Sequence, residues 1–101
     1  MTPTEAPAQA ARRRNLLFFT TPRLWPHWPV LPVVRRRLNQ LEPELGVLYD
    51  AAGCSGRPGY SATVFLSNWF CLPATEARLL ALPREVHDTP EELADASWSV
   101  D

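Results

Sequence analysis

The sequence has no lysine: all ten of its basic residues are arginine. Arginine offers a planar guanidinium that can grip phosphate or carboxylate through two parallel hydrogen bonds, and a genome biased toward arginine codons produces the same pattern. Cysteine is nearly absent too. Cys54 and Cys71 stand alone with no CxxC pair, so they make no disulfide framework. Free thiols fit a reducing compartment, and the expected location is the cytoplasm. No internal repeat marks a second domain.

Several chemistries fail on spacing. His27, Cys54, Cys71 and His87 lie 27, 17 and 16 residues apart, unlike the close ligand pairs of zinc modules. No metal and no cofactor is expected. The loop Gly53-Cys54-Ser55-Gly56-Arg57-Pro58-Gly59 lacks the Gly-Lys-Ser/Thr ending of a phosphate-binding P-loop. Tyr60 occupies the place where a Cys-x5-Arg loop needs its arginine. The carboxylate pairs Glu42/Glu44 and Glu91/Glu92 do not form an acid and base set. A helix start explains the second pair, and the first flanks a loop proline. Asp50 is the one acid at a strand end, where active-site carboxylates often lie. No catalytic residue is assigned.

A membrane span is also excluded. Leu16 to Val34 is long enough, but it holds Arg23 and prolines at 22, 26, 29 and 32. The same residues spoil an export signal after Arg12-Arg13-Arg14, which has a twin-arginine look.

Among what is present, proline comes first. The 101 residues include eleven, against a usual share of about 5%. Four Trp, four Phe and two Tyr supply bulky core material. A chain of this length forms one domain and can bury roughly two-thirds of its unfolded surface. Charge is divided along the chain. Residues 1–40 carry seven Arg and one acid, and residues 41–101 carry three Arg and ten acids. Either the two halves attract each other, or the first presents a basic face to an anionic partner.

The expected fold is α+β. Residues 1–14 read as a disordered tail, and 15–101 as a small domain. An antiparallel sheet of three or four strands is expected near 16–20, 45–50, 60–69 and 97–100. The alternation in 60–69 places Tyr60, Ala62, Val64 and Leu66 on one face, with Phe65 and Trp69 on the other. Thr75 caps a helix over 75–82. Thr89-Pro90-Glu91-Glu92 starts another over 89–96, with threonine as cap, proline first and Glu92 closing the box.

The most distinctive segment is 24–34, where Pro26, Pro29 and Pro32 recur every three residues. Three is the period of polyproline II, so Trp25, Trp28 and Leu31 would share one edge. Prolines at these positions remove donors from both sides of a strand, which argues against the sheet interior.

Three functional readings follow. The leading one is a non-enzymatic interaction module, bound to a protein partner or to itself through 24–34, with Trp25, His27 and Trp28 in the contact. The second is a nucleic-acid or polyanion binder through Arg12, Arg13, Arg14, Arg35, Arg36 and Arg37. The third is an enzyme using Cys54 and Arg57. Gly53, Arg57 and Gly59 could also line an anion-binding loop.

Overall fold

In the computed structural model, residues 6–101 are described. Five strands form one antiparallel sheet: β1 (Val30–Arg35), β2 (Glu44–Tyr49), β3 (Thr63–Leu66), β4 (Arg84–Val86) and β5 (Ser99–Val100). Their spatial order is β4-β3-β2-β1-β5. Four α-helices complete the α+β fold: α1 (Pro7–Thr20), α2 (Ala51–Ser55), α3 (Glu76–Leu80) and α4 (Pro90–Asp95).

The largest departure from expectation is α1. Residues 16–20 are not a strand, and residues 7–14 are its first turns rather than a loose tail. Residues 1–5 lie outside the described residues. Pro7 takes the first helical position, where its missing N–H costs nothing. Ala8, Ala10, Ala11 and three arginines then supply strong helix formers. Phe19 is buried, and Leu16 and Phe18 pack beside it. Pro22 follows and begins a short 3₁₀ turn, Pro22–Leu24.

The second departure is β1. Val30–Arg35 lies second from the sheet edge, paired with β2 along its length and with β5 at Val33 and Val34. The missing proline donors fall where the strand ladder does not need them. The Asp50 N–H donates to the Pro29 carbonyl at 2.8 Å, and the Asp101 N–H to the Pro32 carbonyl at 3.3 Å. Backbone groups alternate sides along a strand. The missing donor of Pro29 therefore faces Asp50, whose carbonyl already accepts the Cys54 N–H. That of Pro32 faces the sheet edge, just past the two residues that β5 covers. Neither proline leaves a ladder bond broken.

Other expected elements are present with narrower bounds: the strand expected over 60–69 shortens to β3, Thr63–Leu66, and β4 adds a strand outside the expected set. β2 and β3 pair antiparallel, and β5 returns the chain end to the sheet. Thr75 accepts from the Arg78 N–H and caps α3. Thr89 accepts from the Glu92 N–H and caps α4. The Glu92 carboxylate reaches back to the Asp88 N–H, one residue beyond the expected box.

Both faces of the sheet are covered. On one, Leu31, Val33, Leu48 and Val64 pack with Phe19, Trp25, Leu93 and Trp98. On the other, Val47, Tyr49 and Phe65 pack with Ala51 and Leu79, joined by Tyr60 and Trp69. The expected alternation in β3 is present, except that Tyr60, which precedes the strand, joins Phe65. Gly46 is required where the layers meet. A Cβ there would come 2.4 Å from Val64 Cγ1 and 3.4 Å from the Trp98 ring.

Candidate functional site

The proline segment does not form a continuous polyproline strip. Residues 22–24 make a 3₁₀ turn, 26–29 a tight turn and 30–35 a strand, and the Trp28–Pro29 peptide bond is cis. Trp25 and Trp28 therefore part company. Trp25 is 7% exposed, and its indole N–H donates to the Phe18 carbonyl at 2.7 Å. Trp28 is 48% exposed and donates to Asp50 Oδ2 at 2.8 Å. Trp25 is a core residue that braces α1, and only Trp28 is offered to solvent.

His27 lies on a different surface. It lines a groove of about 570 Å³ along the outer edge of β1, with Phe18, Pro26, Val30, Pro32 and Leu72 among the walls. The groove runs where β5 leaves β1 uncovered. Phe70 also lines it, 87% exposed, on the 3₁₀ turn Trp69–Cys71. That turn is held in place by its neighbours. Asn68 accepts from the Phe70 N–H, and the Trp69 indole donates to the Gly46 carbonyl at 2.8 Å. Phe70 is not among the residues that the sequence pattern singles out. It lies just past the strand expected over 60–69, and no local pattern marks it as exposed.

The groove is apolar with a charged end. Arg14 and Asp101 both line it. The Arg14 guanidinium lies 5.3 Å from the Phe18 ring centroid. A flat sheet edge can recruit another strand, but Pro32 has no N–H to donate here.

The arginine clusters do not stand free as one basic patch. Arg35 is 6% exposed. It donates to Glu44 Oε2 at 2.7 Å and to both Glu85 oxygens at 3.0 and 3.1 Å. Burial alone would lower its pKa, and the bonds to Glu44 and Glu85 more than offset this and raise it. Glu85 also accepts from the Trp98 indole, and His87 Nε2 lies 3.4 Å from it. Arg37 pairs with Glu44 at 3.0 Å, and Arg12 with Asp95 at 2.7 Å. Arg36 is exposed, and Arg13 interacts with a neighbour. Each of these ion pairs joins the basic first half of the chain to the acidic second half.

The glycine loop begins as a helix. Residues 51–55 are helix α2, with Asp50 as its cap accepting the Gly53 N–H at 3.0 Å. The Cys54 N–H donates to the Asp50 carbonyl, that of Gly56 to Ala52, and that of Arg57 to Ala51. The N–H groups of Gly53, Cys54, Gly56 and Arg57 are therefore bonded within the chain. A Cβ at Gly53 would lie 2.2 Å from Asp50 Oδ2, so a side chain there would displace the capping carboxylate. Gly59 has a φ of 93° and shapes the turn that follows.

Cys54 is exposed on α2. It lines a shallow concavity with Tyr49 and Glu76. The Tyr49 hydroxyl donates to Glu76 Oε2, and Arg57 Nε donates to Glu76 Oε1 at 2.7 Å. The Tyr49 bond, with help from Ser55 and Arg57, holds the Glu76 carboxyl below its usual range. Burial raises the Tyr49 pKa, and Cys54 and Glu76 beside it raise it further. A carboxylate so stabilised is a poor base, and the two histidines lie on other elements. Among the described residues, no three His, Cys, Asp or Glu side chains converge as metal ligands. No helix among the described residues is long and apolar enough to cross a membrane.

No protein-family model, no curated protein and no solved structure matches this chain.

Proposed function

We propose that this protein is a non-enzymatic interaction module, and that its groove along β1 receives a second copy of the chain. One observation carries the reading: Phe70 stands 87% exposed on the rim of an apolar groove. A knob and a hole on the same face suit a two-fold contact, in which each copy supplies both. The charged end of the groove is self-complementary in the same way, since Arg14 of one copy can meet Asp101 of the other. Pro26 and His27 bring the proline segment into the contact. Trp25 supports it from within rather than anchoring it.

The contact is small. It sits at the lower end of specific interfaces, below about 1,200 Å² in total, so a dissociation constant in the micromolar range or weaker is expected. A hot-spot aromatic residue should dominate it. Phe70→Ser removes the knob from an exposed position and leaves the core untouched. The test is the dilution dependence of amide shifts in the wild type and in F70S. Shifts confined to residues around Phe18, His27, Val30 and Phe70, absent in F70S, support the reading. Spectra that do not change on dilution overturn it.

A further inference from the structure

β4 borders the sheet, paired with β3 on one side and with no strand on the other. Its register decides which backbone groups stay open. The Leu66 N–H donates to the Pro83 carbonyl at 2.8 Å, and the His87 N–H to the Ala62 carbonyl at 3.0 Å. Backbone groups alternate sides along a strand. Residues 83, 85 and 87 therefore face β3, and Arg84 and Val86 turn their N–H and C=O groups away from it. Among the described residues nothing bonds to these outward groups. Donors and acceptors spaced in this way are the template on which an extended segment adds as a further strand.

The side chains decide which segment fits. Arg84 and Val86 share a face, across from Phe65 and Thr63 of β3. Val86 is 64% exposed. Arg84 is exposed too, and its guanidinium donates to the Leu80 carbonyl at 3.3 Å but to no carboxylate among the described residues. A concavity of about 320 Å³ borders this edge, with Tyr60, Thr63, Arg84 and Val86 among its walls. Glu85 belongs to the opposite face, where Arg35 and Trp98 hold it. The outer edge therefore offers an apolar side chain and a cation on one face, with open backbone between them.

We propose that β4 receives an extended segment of another protein as an antiparallel strand, with an apolar residue across from Val86 and an acidic residue across from Arg84. The whole sheet is antiparallel, and directly opposed residues share a face in such a pair. The segment thus reads apolar, any residue, acid from its N-terminal end. The backbone ladder supplies affinity. The pair with Arg84 fixes register, because a slip of one residue would turn both side chains to the other face. β2 and β3 separate this border from β1, so the proposal does not depend on self-association at the β1 groove.

The experiment is a titration of the ¹⁵N-labelled full chain with the blocked peptide Thr-Val-Thr-Glu-Thr and its counterpart Thr-Val-Thr-Lys-Thr. The amides of Arg84 and Val86 should shift saturably with the glutamate peptide. The lysine peptide should bind about fivefold more weakly, the effect of replacing an opposed charge pair by a like one. Arg84→Glu should reverse that preference. Val86→Pro removes an outward donor and leaves the bonds to β3 in place, so it should abolish binding of both peptides. Arg84→Glu, at an exposed position, decides the matter where V86P does not fold. The proposal is overturned if neither peptide shifts these amides at about 5 mM, if R84E keeps the wild-type preference, or if folded V86P binds like the wild type. It is also overturned if these amides respond to protein concentration alone, which would assign the edge to a second copy of the chain.

Discussion

The Arg35 guanidinium lies over the Trp98 ring, 4.4 Å from its centroid. The two residues share an acceptor, because both donate to the Glu85 carboxylate. This triad ties β1, β4 and the segment before β5 together, so it joins strands from both sides of the sheet. A buried charge that loses its partner is expensive, at about 3–5 kcal/mol. Arg35→Ala leaves Glu85 and Glu44 facing each other without their cation. A loss of stability of about that size is expected in urea unfolding. Arg35→Lys should also be destabilised, because a single ammonium cannot reproduce the fork between two carboxylates. Wild-type stability in R35A contradicts the account.

Much of this architecture can be read from the residues, and the limits have physical causes. Thr75 and Thr89 announce their helices because a cap is a local device. The strand expected at 45–50 is present as β2, the alternation within β3 survives in the fold, and the chain end returns as β5. Three things are hidden. In α1, the Phe-rich run 16–20 looks like a strand when read alone, although the Ala and Arg residues before it favour a helix and extend the same turn. In β1, proline positions argue against a central strand, because the capture of Asp50's carbonyl by α2 and the shortness of β5 are tertiary facts. In the Arg35 network, a residue in an arginine triplet looks solvated, and only the pairing of β1 with β2 and the approach of β4 reveal two carboxylates waiting for it. Trp25 and Trp28 differ for a similar reason. The turn at 26–29 breaks the three-residue period that would have kept them on one edge.

Acid should act through Glu85. Burial alone would raise its pKa, but the Trp98 indole, Arg35 and His87 outweigh burial and lower it. A carboxyl whose folded pKa is depressed contributes stability that is present above its ordinary value of 4.5. That contribution is lost as pH falls through the folded value. Unfolding free energy should therefore decline below pH 4.5, and Trp98→Phe should flatten part of the decline. An identical pH dependence in W98F contradicts the assignment.

Base should act through Tyr49. Its pKa is raised above the ordinary value of 10.0, first by burial and then by Cys54 and Glu76. The neutral phenol is favoured in the fold. Its stabilisation is full below 10.0 and is lost as pH rises toward the folded value. Tyrosinate absorbance should show a late phase that vanishes in Tyr49→Phe. A titration unchanged by this variant contradicts the prediction.

Gly46 tests the packing between β2, β3 and Trp98. An alanine there presses on Val64, and overpacking of this kind costs about 1–3 kcal/mol. Gly46→Ala should lower the urea midpoint with little change in slope. A neutral effect contradicts the packing.

The exposed aromatic beside the groove remains the feature on which function turns. Phe70 stands 87% exposed, and the groove beside it is largely apolar. Sedimentation velocity of the wild type from about 10 μM to about 1 mM measures its consequence directly. The account predicts a weight-average mass that climbs from that of one chain toward that of two, and a single-chain mass throughout for F70S. A wild type that stays a single chain over the whole range contradicts it.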